Sequence, residues 1–170
     1  MKEKLLENRK LIDIVIVILV GCILCIPLLN SNVNVYYDDG IQHISRAFGT
    51  YSSIMENRLF PNVISSFTND FGYSWNLFYG PLSSYGIILI KLICNNYLIA
   101  YKLFVCIALI LSGMSMHKFI FGITKNNDSA LLAGILYMSF PYHLTDLYSR
   151  NATRRICIFY FYTTCVFRII

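Results

Sequence analysis

Residues 11–29, LIDIVIVILVGCILCIPLL, form the apolar run that decides the fold of this chain. A helix needs about 20 apolar residues to cross the hydrocarbon core of a bilayer, and this run has that length. Basic residues precede it within positions 1–10, as they also do in a signal peptide. However, the run is longer than a signal-peptide core, and no small-x-small cleavage site follows it. We therefore predict a retained first transmembrane helix over 11–29, with residues 1–10 as a basic tail in the cytoplasm.

The composition also indicates a membrane protein. The 170 residues are 56% hydrophobic and 14% charged, whereas soluble domains are about 25% charged. We predict an all-α integral membrane protein of the plasma membrane, with three transmembrane helices, or four, and the lipid bilayer as its partner. The net charge of +5 does not indicate a nucleic-acid partner, because the basic residues are scattered or stand beside apolar runs.

Hydropathy divides the rest of the chain into further segments. Residues 30–81 are polar and rich in aromatic side chains, and they are predicted to form an extracytoplasmic loop. Residues 98–120 are predicted to be a second transmembrane helix, residues 121–129 a cytoplasmic loop, and residues 130–147 a third transmembrane helix.

One segment, residues 82–95, is of marginal length for a membrane span. It is predicted to be a re-entrant or interfacial helix, or else a short transmembrane helix. If it does not cross, Lys118 and Lys125 are cytoplasmic, as the positive-inside tendency prefers. The helix over 130–147 then ends on the same side of the membrane as the loop over 30–81, and this is the topology we favour.

Within the outer loop, residues 40–58 are predicted to form an amphipathic helix. Apolar side chains recur there at spacings of three and four: Ile41, Ile44, Phe48, Tyr51 and Met55. Polar side chains occupy the other side, and such a helix is expected to lie on the membrane surface. The start resembles a capping box, since Asp39 is followed three residues later by Gln42.

The first candidate site is the start of this helix, with Asp38, Asp39, His43 and Arg46. Charge beside a membrane span is costly unless it serves a function or faces water. Asp38 or Asp39 would act as a general base or hold a divalent cation, with His43 one turn away and Arg46 binding phosphate. Alternatively, Asp39 only caps the helix, Asp38 is solvated, and His43 and Arg46 lie on a wet helix face.

Two further residues are candidates for substrate binding. Arg150, after the third predicted transmembrane helix, would hold a diphosphate or polyprenyl-phosphate headgroup, or extend to the membrane interface. Tyr79, followed by Gly80 and Pro81, would shape a substrate groove, or simply lead into the next helix.

These residues together resemble a known family. A first span is followed by an outer loop with acidic residues, His and Arg, then by Phe-Tyr-Gly-Pro-Leu over 78–82 and Leu-Tyr-x-x-x-Pro-Tyr-x-x-x-Asp-x-Tyr-x-Arg over 136–150. Over roughly residues 10–152 the chain resembles the N-terminal part of the bacterial multispanning 6-pyruvoyl-tetrahydropterin-synthase-related membrane domain. That family looks like the GT-C superfamily of membrane glycosyltransferases, which use polyprenyl-phosphate sugars.

The resemblance implies roles for the same residues. Asp38 and Asp39 match the acidic pair that supplies the catalytic base or metal ligand, and His43 with Arg46 matches the following His-x-x-Arg. Arg150 matches the arginine of Tyr-x-Arg-x-Ala-x-x-Glu, but the position expected to be Glu is Arg155 here.

This departure predicts a truncated reading of a longer gene. One coding of Thr153–Phe159 gives Thr-Gly-Glu-Tyr-Val-Phe when a single A is removed, which restores the expected acidic residue. Residues 148–170 are therefore predicted to be an aberrant tail, frameshifted or prematurely ended after about Ala152. The chain is then a glycosyltransferase fragment, inactive alone. A non-enzymatic transporter subunit or assembly partner is the alternative, which the charge-poor spans disfavour.

Overall fold

A computed structural model describes residues 2–30, 39–153, 155, 157–158 and 164–165, with the side chains of residues 2–8 and of Lys10 excepted. It contains helices α1 (Lys2–Asn30), α2 (Gly40–Met55), α3 (Trp75–Phe78), α4 (Leu82–Cys94), α5 (Tyr97–Thr124), α6 (Asn127–Ser139) and α7 (Pro141–Tyr148). The described part of the chain is all-helical, apart from one isolated antiparallel bridge between Ile64 and Tyr73.

Two of these helices are long and apolar enough to cross a membrane. They are the part of α1 from Leu11 to Asn30 and the whole of α5, at the places where the sequence predicted the first two spans. The predicted third helix over 130–147 is not continuous, because it is divided at Phe140 into α6 and α7. Pro141 has no N–H to continue the helix and favours an extended residue before it, and Phe140 is extended with ψ 134°.

Helices α1 and α5 pack antiparallel. Near the start of α1, Asp13 Oδ2 lies 3.9 Å from Nε2 of His117, which is near the end of α5. At the other end of the pair, Lys102 Nζ donates a hydrogen bond of 3.3 Å to the carbonyl of Leu29. Helix α5 therefore begins where α1 ends.

Helices α6 and α7 return along α1 in the opposite direction to α5. Arg9 forms an ion pair with Asp128 at the start of α6, and the Tyr148 hydroxyl donates to the Leu24 carbonyl at the end of α7. Between these points α5 and α6 approach closely, since a Cβ added to Gly113 would lie 2.4 Å from Met138 Sδ. The return brings the end of α7 to the end of the bundle where α2 begins.

Helix α2 packs on α4 and α5 with its polar side. Its buried residues are the polar ones, including His43, Arg46, Thr50 and Ser53. Its exposed side carries Ile41, Phe48 and Met55, one every seven residues. The alternative that His43 and Arg46 lie on a wet helix face is therefore wrong. Polar groups can turn inward where partners are available, and Arg46, for example, donates a hydrogen bond of 3.4 Å to the Tyr79 carbonyl.

Candidate functional site

The structure brings Asp39 and Arg150 together at the end of the bundle where α1 ends and α5 begins. The Asp39 N–H donates a hydrogen bond of 3.3 Å to the Arg150 carbonyl. Asp39 is the N-cap residue of α2, but its side chain makes no capping hydrogen bond. The exposed carboxylate of Asp39 therefore does not cap the start of the helix and is available for chemistry.

Two adjoining cavities surround Asp39, and we call them together the polar pocket. The larger, of about 470 Å³, is lined by Asp39, Gln42, Arg150, Ala152 and Arg155. The smaller, of about 210 Å³, is lined by Asp39, Gln42, His43, Trp75, Tyr79, Ala152 and Arg155. Because four residues line both cavities, the polar pocket joins the start of α2 to the segment that follows α7.

Arg155 lies in the polar pocket. In the sequence it stood out only because it replaces the Glu expected from the family resemblance. Its Nη1 donates a hydrogen bond of 2.8 Å to the Tyr142 hydroxyl and lies 3.7 Å from Asp146 Oδ1. Asp146 is fully buried, and its carboxylate attracts the half-exposed guanidinium of Arg155 from the interior side. Sequence spacing gave no signal for this arrangement, because it depends on the turn after α7, where Asn151 has a φ of 52°.

His43 lines the smaller cavity and is mostly buried, with 8% of its surface exposed. Its ring stacks on Tyr101 with a centroid distance of 6.4 Å and an interplanar angle of 15°. Burial lowers the pKa of His43 to about 4; Arg46 acts in the same direction and Asp39 opposes it. The imidazole is therefore neutral at pH 7, so it can exchange hydrogen bonds with a substrate but supplies no positive charge.

Arg46 lies behind the polar pocket and does not line it. It is 2% exposed, and its Nη2 donates to the carbonyls of Tyr79 at 3.4 Å and Gly80 at 3.5 Å. The guanidinium carbon also lies 5.4 Å from the Trp75 ring centroid and 5.2 Å from that of Tyr79. Arg46 thus fixes the segment between α3 and α4, and through it the ring of Tyr79 in the pocket wall.

The charges of the polar pocket suit an anion. Among its described lining residues there is one carboxylate, Asp39, and there are two arginines, Arg150 and Arg155, while the buried Asp146 behind the wall offsets part of the charge of Arg155. Guanidinium groups bind phosphate or carboxylate through charge-assisted hydrogen bonds. Asp38, the other predicted metal ligand, lies outside the described residues.

A divalent cation was one of the two roles predicted for Asp38 and Asp39, and the described residues do not by themselves provide a site for it. Calcium and magnesium are bound by several oxygen ligands, and two neighbouring guanidinium groups repel them. Within the described part of the chain, no three His, Cys, Asp or Glu side chains are grouped as metal ligands.

A second cavity, which we call the apolar groove, lies between α4 and α5. It has a volume of about 260 Å³ and is lined by Leu82, Tyr85, Gly86, Leu89, Phe104, Ile107, Ala108, Leu111 and Cys157. Leu82 comes three residues after Tyr79, and Cys157 comes two residues after Arg155, so neighbouring parts of the chain line the apolar groove and the polar pocket.

Comparison with known proteins identifies the family. Residues 77–168 match the 6-pyruvoyl-tetrahydropterin synthase related domain, which is described as a membrane protein. The chain belongs to this family. The matched region covers more than half of the chain, including helices α4 to α7, Tyr79, Arg150 and Arg155. The family resemblance seen in the sequence is confirmed, and the match extends through residues 148–168, within the tail predicted to be aberrant.

A similar protein is known from Lactococcus lactis subsp. cremoris (strain MG1363), where it is described as an uncharacterized protein. It is 28% identical over 134 residues, which make up 77% of this chain and 22% of that protein. The chain thus aligns with about a fifth of this curated relative. No solved structure matches the chain.

Proposed function

We propose that the chain is the N-terminal part of a GT-C-like membrane glycosyltransferase that uses a polyprenyl-phosphate-linked sugar. The observation that carries this proposal is the polar pocket, where one free carboxylate faces two guanidinium groups beside an apolar groove. In this proposal the chain is inactive alone, because a longer protein supplies the remaining spans. The relative from Lactococcus lactis, which the chain covers only in small part, supports that view.

An amphiphilic donor suits the two cavities. Its phosphate would bind to Arg150 and Arg155 in the polar pocket through charge-assisted hydrogen bonds, and Arg155 would use N–H groups other than the one that donates to Tyr142. Its hydrocarbon chain would lie in the apolar groove, which is almost wholly lined by apolar atoms. Tyr79 lines the smaller cavity of the polar pocket, three residues before Leu82 of the apolar groove, and would contact the sugar.

Asp39 would be the general base of the transfer. The acceptor hydroxyl would attack the anomeric carbon of the sugar while Asp39 takes its proton. The bond between the anomeric carbon and the phosphate oxygen would break, and the phosphate would leave with the bonding electron pair. Arg150 and Arg155 would stabilise the negative charge that develops on the leaving phosphate.

We further propose a multi-pass topology in the plasma membrane, with the N-terminus in the cytoplasm and the polar pocket outside. In the antiparallel arrangement of α1 and α5, Arg9, Lys118 and Lys125 lie at the end remote from the pocket, as the positive-inside tendency prefers. Helix α4 has 13 residues, about 20 Å of helix, against about 30 Å of hydrocarbon. Its length supports a re-entrant or interfacial helix.

A non-enzymatic function, as a transporter subunit or assembly partner, is the second candidate. It is favoured by the break at Phe140, after which α7 carries the buried His143 and Asp146. Transporters often bind their substrates at such discontinuous helices. In this case the two arginines would hold a transported anion without chemistry.

Transfer activity tests the proposal. DNA downstream should contain an open frame that encodes further spans, and its product joined to residues 1–170, which keep Arg155, is the protein to assay. It should transfer sugar from a polyprenyl-phosphate donor. Asp39→Asn should lower the rate by about 10²–10⁴, the usual contribution of a general base. Glu56→Gln, which removes an exposed carboxylate just after α2, is the matched control and should keep the rate.

Two results would contradict the proposal. If the locus has no such open frame, the proposed longer enzyme does not exist. Full transfer by the Asp39→Asn variant at matched expression would show that this carboxylate is structural. Uptake of an anion without transfer would instead support the transporter alternative.

A further inference from the structure

A second group of ionisable side chains lies far from the polar pocket, between α1 and α5. Asp13 and His117 are each only 5% exposed, and Asp13 Oδ2 lies 3.9 Å from His117 Nε2. The gap is too long for a hydrogen bond, and neither atom has another hydrogen-bond partner among the described residues. A buried carboxylate within a membrane span is costly unless it is neutralised or used.

The neighbouring charges are engaged elsewhere or lie to one side. On α1, Arg9 is one turn before Asp13, and it pairs with Asp128, the one charged residue of α6. On α5, Lys118 is adjacent to His117 in sequence and raises the cost of a second positive charge there. Among the described residues, His117 is thus the titratable group that directly faces the Asp13 carboxylate.

The backbone beside His117 is closely packed. A Cβ added to Gly134 of α6 would lie 3.3 Å from the Cβ of His117 and 3.0 Å from the carbonyl oxygen of Gly113. Helix α6 therefore packs closely on the backbone of α5 beside His117. The result is a buried acid and a buried base whose facing atoms, Oδ2 and Nε2, have no hydrogen-bond partner among the described residues.

We propose that Asp13 and His117 form a proton-binding site between α1 and α5. A proton from water adds to Nε2 of the neutral imidazole, and the Nε2–H then donates to Asp13 Oδ2. The two atoms move from 3.9 Å to about 2.8 Å, the usual length of a charge-assisted hydrogen bond. The site passes from one net negative charge to a neutral ion pair, and this draws the start of α1 onto the end of α5. This function is independent of glycosyl transfer.

Nitrogen NMR of the whole chain in lipid nanodiscs, labelled with ¹⁵N-histidine, measures this site directly. The chain has three histidines, so each signal can be assigned by replacing His43, His117 or His143 with Gln. We expect Asp13→Asn to lower the titration midpoint of His117 by at least about one pH unit, which is a tenfold loss of proton affinity. The midpoints of His43 and His143 should stay constant.

A swapped variant and an infrared measurement keep the test decisive if Asp13→Asn does not fold. Asp13→His combined with His117→Asp restores the facing pair, so its histidine should regain the midpoint that is lost in Asp13→Asn. In the unmodified chain, the carboxylate stretch of ¹³C-labelled aspartate should shift as His117 titrates. A His117 midpoint unchanged by Asp13→Asn, or a carboxylate band constant throughout that titration, would overturn the proposal.

Discussion

Replacing Arg46 by methionine removes the guanidinium that fixes the segment between α3 and α4 while keeping most of its apolar packing. Two ring contacts, with Trp75 and Tyr79, contribute about 0.5–2 kcal/mol each. The hydrogen bonds to two carbonyls are 3.4 and 3.5 Å long, so they add less than the usual 1.5–3 kcal/mol for a charged donor. The loss of stability should therefore be about 2–4 kcal/mol. In a chain of 170 residues this lowers the melting temperature by roughly 10 °C.

The assay is intrinsic fluorescence, because Trp75 is the single tryptophan of the chain. In Arg46→Met, its emission should move to longer wavelength before melting, since the ring loses its cationic neighbour and gains access to water. Arg58→Met is the matched control, as Arg58 is exposed just after α2, and it should leave both emission and melting unchanged. If Arg46→Met melts and fluoresces like the unmodified chain, Arg46 does not hold this segment.

Three other perturbations test the packing, the electrostatics and the topology. Gly86→Ala should lower stability by about 1–3 kcal/mol in a thermal melt, because a Cβ there would lie 2.2 Å from a ring carbon of Phe104. Gly80→Ala is the control and should leave stability unchanged, because a Cβ at Gly80 would have no atom within 4 Å. Burial of His43 should make stability fall by about 3 kcal/mol as pH is lowered from about 6.5 to 4, because the unfolded chain binds a proton at His43 there and the folded chain does not. His43→Gln should remove this part of the fall and leave the part due to the other buried histidines, and an equally steep curve in that variant would refute the assignment. In a cysteine-free background, an impermeant thiol reagent should label Asn62→Cys and not Asn126→Cys in intact cells, and labelling of Asn126→Cys would contradict the proposed topology.

Hydropathy and proline positions carried most of the information about the helices. The apolar runs located α1 and α5, and Pro81 with Cys94 bounded α4 close to the predicted 82–95. The break at Phe140 was also visible in the sequence, since Pro141 cannot continue a helix, but the apolar character on both sides favoured one span over 130–147. Composition therefore located the apolar segment over 130–147, whereas the proline at position 141 divided it into α6 and α7.

Periodicity could not decide which side of α2 is buried. It separated an apolar side with Phe48 from a polar side with His43, but a helix beside lipid can turn its polar side inward. Counting the spans placed Arg150 on the same side as Asp39, and their backbone contact agrees with this placement. The roles of Arg155 and of the Asp13–His117 pair were not visible, because both depend on contacts between segments distant in sequence.

Recognition of a phosphate-bearing lipid at the polar pocket is the central claim, and one binding measurement tests it. Calorimetric titration of the chain in nanodiscs compares a short polyprenyl phosphate with the polyprenol of the same chain length. We predict that the phosphate binds at least about tenfold more tightly, as charge-assisted hydrogen bonds of about 1.5–3 kcal/mol require. Arg150→Gln should remove this preference, whereas the exposed control Arg58→Gln should keep it. Equal binding of the two lipids, or an undiminished preference in Arg150→Gln, would contradict the account.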